Sequence, residues 1–366
     1  MNIYEQLGLK TVINGCGTVT KLGGSKMDAR VLDAMVMASK SFVEISALHK
    51  AAGAHIAKLL GCQACCITGG AAAGIAICAA ACMNRGHPAK KLQLPDTTGM
   101  PNEAIILKSH RTLYDQALAL SGIKIIEVGA ASYAIPEQVE AAISDKTALF
   151  FYSSEAESTR GSIAFEKLVA LFKKHNIPIV VDAAAEVPPK SNITKHLELG
   201  ADLVIFSGGK EIRGPQSSGL ILGRKDLIEA AAANCCPHDS IGRPMKIDKE
   251  TIAGITKAVE LFIEKDYDVQ MSRWSDMSNQ MAQILRQSER AEIRTGYPQG
   301  PGIQPVEILR VYVKPLNQTT QSLYDRLLEL DPQIYTGLSG DEIAINPQCL
   351  EDEELKPITD AILALL

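Results

Sequence analysis

Two residue types at two strand ends carry the chemistry written into this chain. The stretch from Ala201 to Gly223 reads ADLVIFSGGKEIRGPQSSGLILG. An apolar run ends in Ser207-Gly208-Gly209, Lys210 follows at once, and a second apolar run begins at Gly219. Two buried strands joined by a glycine-rich loop hold one lysine where other groups can approach the backbone closely. A lysine there is costly to bury as a cation and shifts its pKa readily, which is the condition for a Schiff-base amine. Taken alone, such a residue is more often a loop lysine that reaches solvent. One strand–helix unit upstream, Ile179-Val-Val-Asp182-Ala-Ala-Ala ends another apolar strand in an aspartate. An amine and a carboxylate on neighbouring strand ends suit pyridoxal phosphate (PLP), whose aldehyde takes the amine and whose ring nitrogen takes the carboxylate.

Other candidates gather at strand ends. Ala64-Cys-Cys-Ile-Thr68-Gly69-Gly70 leads into a helix of very small residues, whose free N–H groups and dipole suit a phosphate. Close packing of small residues explains the same pattern equally well. No Gly-Lys-Ser/Thr follows, so this is not a P-loop, and it is not GxGxxG. His110 ends the strand that begins at Glu103, either to stack on a cofactor ring or as a satisfied structural histidine. A substrate carboxylate wants a bidentate guanidinium, for which Arg160, Arg213 and Arg310 are candidates. The sequence does not choose among them, and each alone reads as a surface arginine. Lys190, Arg243 and Lys246 are further cations for a substrate phosphate. Cys62, Cys65, Cys78 and Cys82 have a zinc-like spacing, yet they sit in an apolar strand and an alanine-rich helix. Cysteines in such places pack as small hydrophobes, and no metal site is expected.

The elements that must position these residues follow from periodicity. From residue 60 to 223, helical patterns alternate with short apolar strands, the signature of a mostly parallel sheet with crossover helices. Sites in such sheets lie off the carboxyl ends of the strands, where Thr68, His110, Arg160, Asp182 and Lys210 all fall. The expected fold class is α/β, a large domain with a mostly parallel sheet and a smaller α+β C-terminal domain. The expected boundaries are an N-terminal arm and helix at 1–45, a large domain at 46–240 and a small domain at 241–366. Within the last, Lys249 to Gln287 reads as one helical tract, and strands are expected at Glu307–Val313 and Glu342–Asn346.

The 366 residues, 46% apolar and 22% charged, are ample for a sizeable core. A net charge of −5 gives no basic footprint, which argues against a nucleic-acid partner. The N-terminus lacks a signal-peptide pattern and the alanine-rich stretch 71–83 is too short to cross a bilayer, so a cytoplasmic protein with no membrane contact is expected.

Five stretches now resemble one family: Asn14-Gly-Cys-Gly-Thr-Val-Thr, Leu48-His-Lys-Ala-Ala-Gly-Ala-His-Ile-Ala, Cys66-Ile-Thr-Gly-Gly-Ala-Ala-Ala, Val181-Asp182-Ala-Ala-Ala and Phe206-Ser-Gly-Gly-Lys210. In this order they resemble the fold-type I PLP enzymes of the selenocysteine synthase-like family, over most of the chain. Within it the sequence is similar to ammonia-lyases of 2-amino-2-deoxy sugar acid phosphates. The resemblance implies PLP as cofactor and a PLP-dependent carbon–nitrogen lyase fold and activity. It implies that Lys210 links the cofactor and Asp182 holds the pyridine N–H. It further implies that His110 stacks on one ring face, Ala184 packs on the other, and Thr68, Gly69, Gly70 and Ser207 hold the phosphate. The implied partners are a small-molecule substrate and further copies of the chain, as a homodimer or higher homo-oligomer, with residues 1–25 and 235–246 at the interface. Three alternatives remain at this level: a seryl-tRNA selenium transferase, another PLP amino-acid lyase or aldolase, and a non-catalytic protein on the same fold.

Overall fold

The computed structural model describes residues 2–299 and 303–366. In chain order the first strands are β1 (Val12–Gly15), β2 (Ala64–Thr68), β3 (Glu103–Leu107), β4 (Lys124–Val128), β5 (Thr147–Ser153) and β6 (Ile179–Asp182). They are followed by β7 (Leu203–Ser207), β8 (Gly219–Gly223), β9 (Ala291–Gly296), β10 (Arg310–Pro315), β11 (Gln333–Ser339) and β12 (Glu342–Ile345). The described residues form two compact units, one of residues 27–265 with 303–304, the other of 2–26, 266–299 and 305–366.

The larger unit is built on a seven-stranded sheet in the order β2-β8-β7-β6-β5-β3-β4. Neighbouring strands from β7 to β4 are parallel, and β8 alone runs antiparallel to both β2 and β7. Six strands therefore end at one edge, and β8 starts there, with Gly219 opposite both Thr68 and Ser207. Central strands are apolar on both faces because helices cover both: every residue of β5 is buried, whereas the edge strand β4 is partly open. The helix Ala71–Asn84 lacks a polar stripe and is buried from Ala73 to its end, as expected for a helix enclosed on all sides. Cys66, Cys78 and Cys82 lie in this core, and no three His, Cys, Asp or Glu residues among the described ones are placed to hold a metal ion. No helix of the described residues is long and apolar enough to cross a membrane.

The smaller unit carries a five-stranded sheet, β1-β11-β12-β10-β9, mixed because β1 joins β11 in parallel while the other pairs are antiparallel. Trp274, Met281 and Leu285 from one helix and Ile358 and Ile362 from another pack with Val311, Val313 and Ile343 of the sheet.

The tract from 249 to 287 is two helices, Lys249–Glu264 and Tyr267–Leu285. Asp266 interrupts it by accepting the N–H groups of Asp268 and Val269, a cap that starts a new helix rather than continuing the old one. The division between units falls at this interruption instead of near residue 240. Helix Lys249–Glu264 packs on Ala29–Ser39 and Ile45–Leu60, so all three share the larger unit. The contact is close: a Cβ on Gly254 would stand 2.8 Å from Met35 Cγ. The segment 1–45 is accordingly split, with β1 in the smaller sheet and helix Ala29–Ser39 in the larger unit.

Candidate active site

Asp182 is the last residue of β6, and Lys210 sits in the turn just past β7, the adjacent parallel strand. Tight backbone packing fixes that turn. A Cβ on Gly208 would lie 2.2 Å from Ser218 Oγ and one on Gly209 2.4 Å from Gln216 Cα, so glycine alone lets the loop fold back on itself. Both side chains are half-buried. Burial pushes the Lys210 amine below its ordinary pKa, against the opposing pull of Asp182, Glu155 and Glu186. Burial pushes the Asp182 carboxyl up to about 6, against the pull of Lys210 and an N–H from Ala184 at 3.0 Å to Oδ1. The amine and the carboxylate feel one another's charge without forming an ion pair. Burial makes both the amine and the acid receptive to a partner.

At the same sheet edge β2 ends in the Thr68-Gly69-Gly70 turn. Thr68 Oγ1 donates to the Gly70 carbonyl at 2.9 Å, so this hydroxyl shapes the turn. Helix Ala71–Asn84 starts at Gly70 (φ +109°) with no side chain capping it, which leaves its first N–H groups unanswered within the helix. Ser207, half-buried, stands across Gly219 from Thr68. Gly219 is the enabling residue that the motif reading did not single out. A Cβ there would lie 2.6 Å from the Gly70 carbonyl carbon and 2.8 Å from Thr68 Oγ1. Gly219→Ala is therefore expected to displace the turn at a cost of about 1–3 kcal/mol. Cofactor affinity should fall about tenfold or more with the far-UV spectrum unchanged, measured by titrating cofactor-free protein. The segment 235–246 reaches this turn, since a Cβ on Gly69 would approach the Met245 carbonyl oxygen to 3.1 Å.

His110 closes the short turn after β3 and is only 1% exposed. Its Nδ1 accepts the Ser153 N–H at 3.3 Å, its Nε2 lies 2.8 Å from Ser162 Oγ, and its ring lies 4.5 Å from that of Tyr152. Both nitrogens are thus engaged. Burial pushes His110 down to about 4, and His196, on the neighbouring helix Asn192–Leu199, also to about 4. The folded state holds both neutral while the unfolded chain protonates them near 6.5. Their contribution is flat above pH 6.5, and stability is lost as pH falls from 6.5 toward 4, by roughly 3 kcal/mol per histidine. Calorimetry should show Tm dropping across that window, with a shallower slope for His196→Leu.

The three candidate arginines separate. Arg160 is exposed, in the loop after β5. Arg213 (φ +57°) has its Nε 3.8 Å from Glu211. Arg310, at the start of β10 in the smaller unit, is 8% exposed; Nη2 donates to the Pro305 carbonyl at 3.3 Å, and among the described residues Nε has no partner and no carboxylate pairs with it. Of the phosphate candidates, Lys190 is committed elsewhere, donating to the carbonyls of Ile263 (2.8 Å) and Lys265 (3.1 Å) at a helix end. Arg243 reaches Cys236 Sγ at 3.5 Å, and Lys246 is exposed. Ala184 is half-buried two residues past Asp182. Sequence reading passed over Glu155, which heads the polar loop after β5 and whose charge acts on both Lys210 and Asp182.

The residues fit PLP in each of its handles: a half-buried acid with one oxygen unengaged by the backbone, a depressed amine, and an uncapped helix start that a glycine strand lets lie close. Comparison with known proteins agrees. The family model described as SelA, L-seryl-tRNA selenium transferase, matches residues 114–351. The D-glucosaminate-6-phosphate ammonia lyase of Salmonella typhimurium is 39% identical over 264 residues, 71% of this chain and 69% of that one. A solved structure of D-glucosaminate-6-phosphate ammonia-lyase superposes with a TM-score of 0.86 at 31% identity, covering 100% of this chain and 98% of the other. A Streptomyces protein, 5'-C-glycyluridine monooxygenase-decarboxylase, is 35% identical over 70% of this chain, which spans 64% of that protein's length. The architecture is that of the fold-type I, aminotransferase-like PLP enzymes.

Proposed function

The chain belongs to the L-seryl-tRNA selenium transferase (SelA) family of PLP enzymes, and from that premise we propose that it is an ammonia-lyase acting on D-glucosaminate 6-phosphate. The products are 2-keto-3-deoxy-6-phosphogluconate and ammonia. The observation that carries this reading is full-length similarity to such a lyase, joined to a half-buried acid and a depressed amine on adjacent strand ends.

Bound PLP supplies an electron sink that stabilises negative charge on the carbon bearing the substrate amine. Asp182 is assigned to its ring nitrogen, Lys210 to its aldehyde carbon, and the Gly69–Gly70 turn, the first N–H groups of helix Ala71–Asn84 and Ser207 to its phosphate. Ala184 is assigned to one ring face and His110 to the other, the histidine held by Ser153 and Ser162. Lys210, freed by substrate, takes the proton from C2, and burial, which lowers its pKa, favours the neutral amine that this step needs. Loss of the C3 hydroxyl as water follows, and water then replaces the nitrogen, which leaves as ammonia. Arg310, in the smaller unit, is proposed to bind an anion, because a buried guanidinium without an acidic partner among the described residues is costly unless an anion arrives.

Further copies of the chain are the proposed partners. Leu32, Val36, Met37, Phe42 and Val43 are exposed along and just after helix Ala29–Ser39, an apolar stripe that a second copy would cover. A net charge of −5 speaks against tRNA as substrate. The Streptomyces relative favours a second reading, oxidative decarboxylation. One assay separates them: D-glucosaminate 6-phosphate should yield ammonia and a 2-keto acid without oxygen uptake or carbon dioxide. Oxygen consumption, or ammonia from serine alone, would overturn the proposal.

A further inference from the structure

Glu155 lies in the single turn Ser154–Ala156 that follows β5. This turn is tied to the strand bearing Asp182: Ser153 is opposite Asp182 in the sheet, and Ser154 Oγ donates to the Asp182 carbonyl at 2.7 Å. The Glu155 side chain is half-buried, and among the described residues it makes neither a hydrogen bond nor an ion pair. Structural carboxylates in this unit behave differently. Asp202 accepts the Ile179 N–H at 2.8 Å and Arg224 Nη1 at 2.7 Å, and Asp115 is paired with Arg111. Glu155 is instead an acid withdrawn from water with no such partner, in a turn tied to the Asp182 strand end, and its charge acts on both Lys210 and Asp182.

We propose that Glu155 is a catalytic residue, the general acid that protonates the C3 hydroxyl as it leaves. The role rests on the ammonia-lyase reading above. Lys210 takes the C2 proton and the C2–H electron pair becomes the C2–C3 double bond. The C3–O bond breaks with its pair on oxygen, and the Glu155 proton completes a water molecule. The Lys210 proton then goes to C3 as the enamine becomes an imine, and water exchanges for ammonia. Two residues with opposite protonation needs serve this sequence better than one that must change state between steps. The charged groups around Glu155 are Lys210, Asp115 and Asp182. Burial raises its pKa and lowers that of Lys210, while the charge of each opposes the shift of the other.

The holoenzyme and its Glu155→Gln and Glu155→Asp variants test this with D-glucosaminate 6-phosphate and its 3-deoxy-3-fluoro analogue. In Glu155→Gln, ammonia release from the natural substrate should fall about 100-fold or more, with Glu155→Asp partly restored. Exchange of the C2 hydrogen in deuterium oxide, read by NMR, should stay near the wild-type rate, and the fluoro analogue should react within about tenfold of wild type, since fluoride leaves without a proton. In cofactor-free protein, the pH profile of Lys210 modification by an amine reagent should move to lower pH once the Glu155 charge is gone. Unchanged ammonia release in Glu155→Gln, or equal losses with both leaving groups, overturns the role of Glu155 alone. No ammonia from wild-type enzyme overturns the lyase reading itself.

Discussion

Lys210→Ala is expected to lose ammonia release by about 10⁴-fold, the upper range for removal of a positioned proton-transfer group, because one amine serves both as cofactor anchor and as base. The loss should be specific. The variant should keep the wild-type fold, since among the described residues the side chain makes no ion pair and its burial works against its charge. Its Tm without cofactor should therefore match or exceed that of the wild type. Cofactor would still bind through the Gly69–Gly70 turn and Asp182, but borohydride would no longer fix it to the protein, and mass spectrometry reads that difference directly. A further residue linked by borohydride, or turnover within tenfold of wild type, would remove Lys210 from its assigned place. Glu155→Gln separates from this variant, since it should keep C2 hydrogen exchange while Lys210→Ala loses it.

What the sequence discloses follows from how local each signal is. The parallel sheet is legible because its strands are fully buried, so Val180, Val181 and Leu203–Phe206 read as unbroken apolar runs. The Asp182–Lys210 pair is legible for the same reason, since each directly ends or follows such a run. The smaller sheet is only partly so: β10 and β12 fall within or against expected strands, whereas β1 and β9 do not. Four-residue β1, VING, is too short for periodicity, and β9, AEIRTG, is half-open edge strand, so pairing partners rather than local pattern make them strands. The break at Asp266 is hidden because Lys249–Leu285 keeps apolar residues at helical spacing on both sides; only the capping carboxylate marks it. Gly219 and Glu155 escape for a third reason. A glycine in a strand and a glutamate in a polar loop are ordinary by composition. Their importance appears only when β8 is seen to begin against the Thr68 turn and β5 to end beside Asp182.

Asp182→Asn should move stability and catalysis in opposite directions. The carboxyl has a pKa of about 6 in the folded protein because burial penalises its charge, against about 3.8 for the exposed group. Below 3.8 it is neutral in both states and contributes nothing. Between 3.8 and 6 the unfolded chain ionises first, so stability declines as pH rises, and above 6 the cost levels at roughly 3 kcal/mol. Asparagine has no charge to bury, and its oxygen still accepts the Ala184 N–H. Cofactor-free Asp182→Asn should thus be more stable than wild type at pH 8, by up to about 3 kcal/mol, and equal to it near pH 4, measured by calorimetry at both. With PLP the order reverses. A protonated ring nitrogen compensates an ionised Asp182 and cannot compensate asparagine, so the variant should bind PLP more weakly and turn over at least about 100-fold more slowly. The wild type should likewise bind PLP less tightly below pH 6, where its carboxyl gains a proton. A less stable cofactor-free variant at pH 8, or full activity in Asp182→Asn, would mean that this aspartate is a structural acid and that the cofactor's ring nitrogen is held elsewhere.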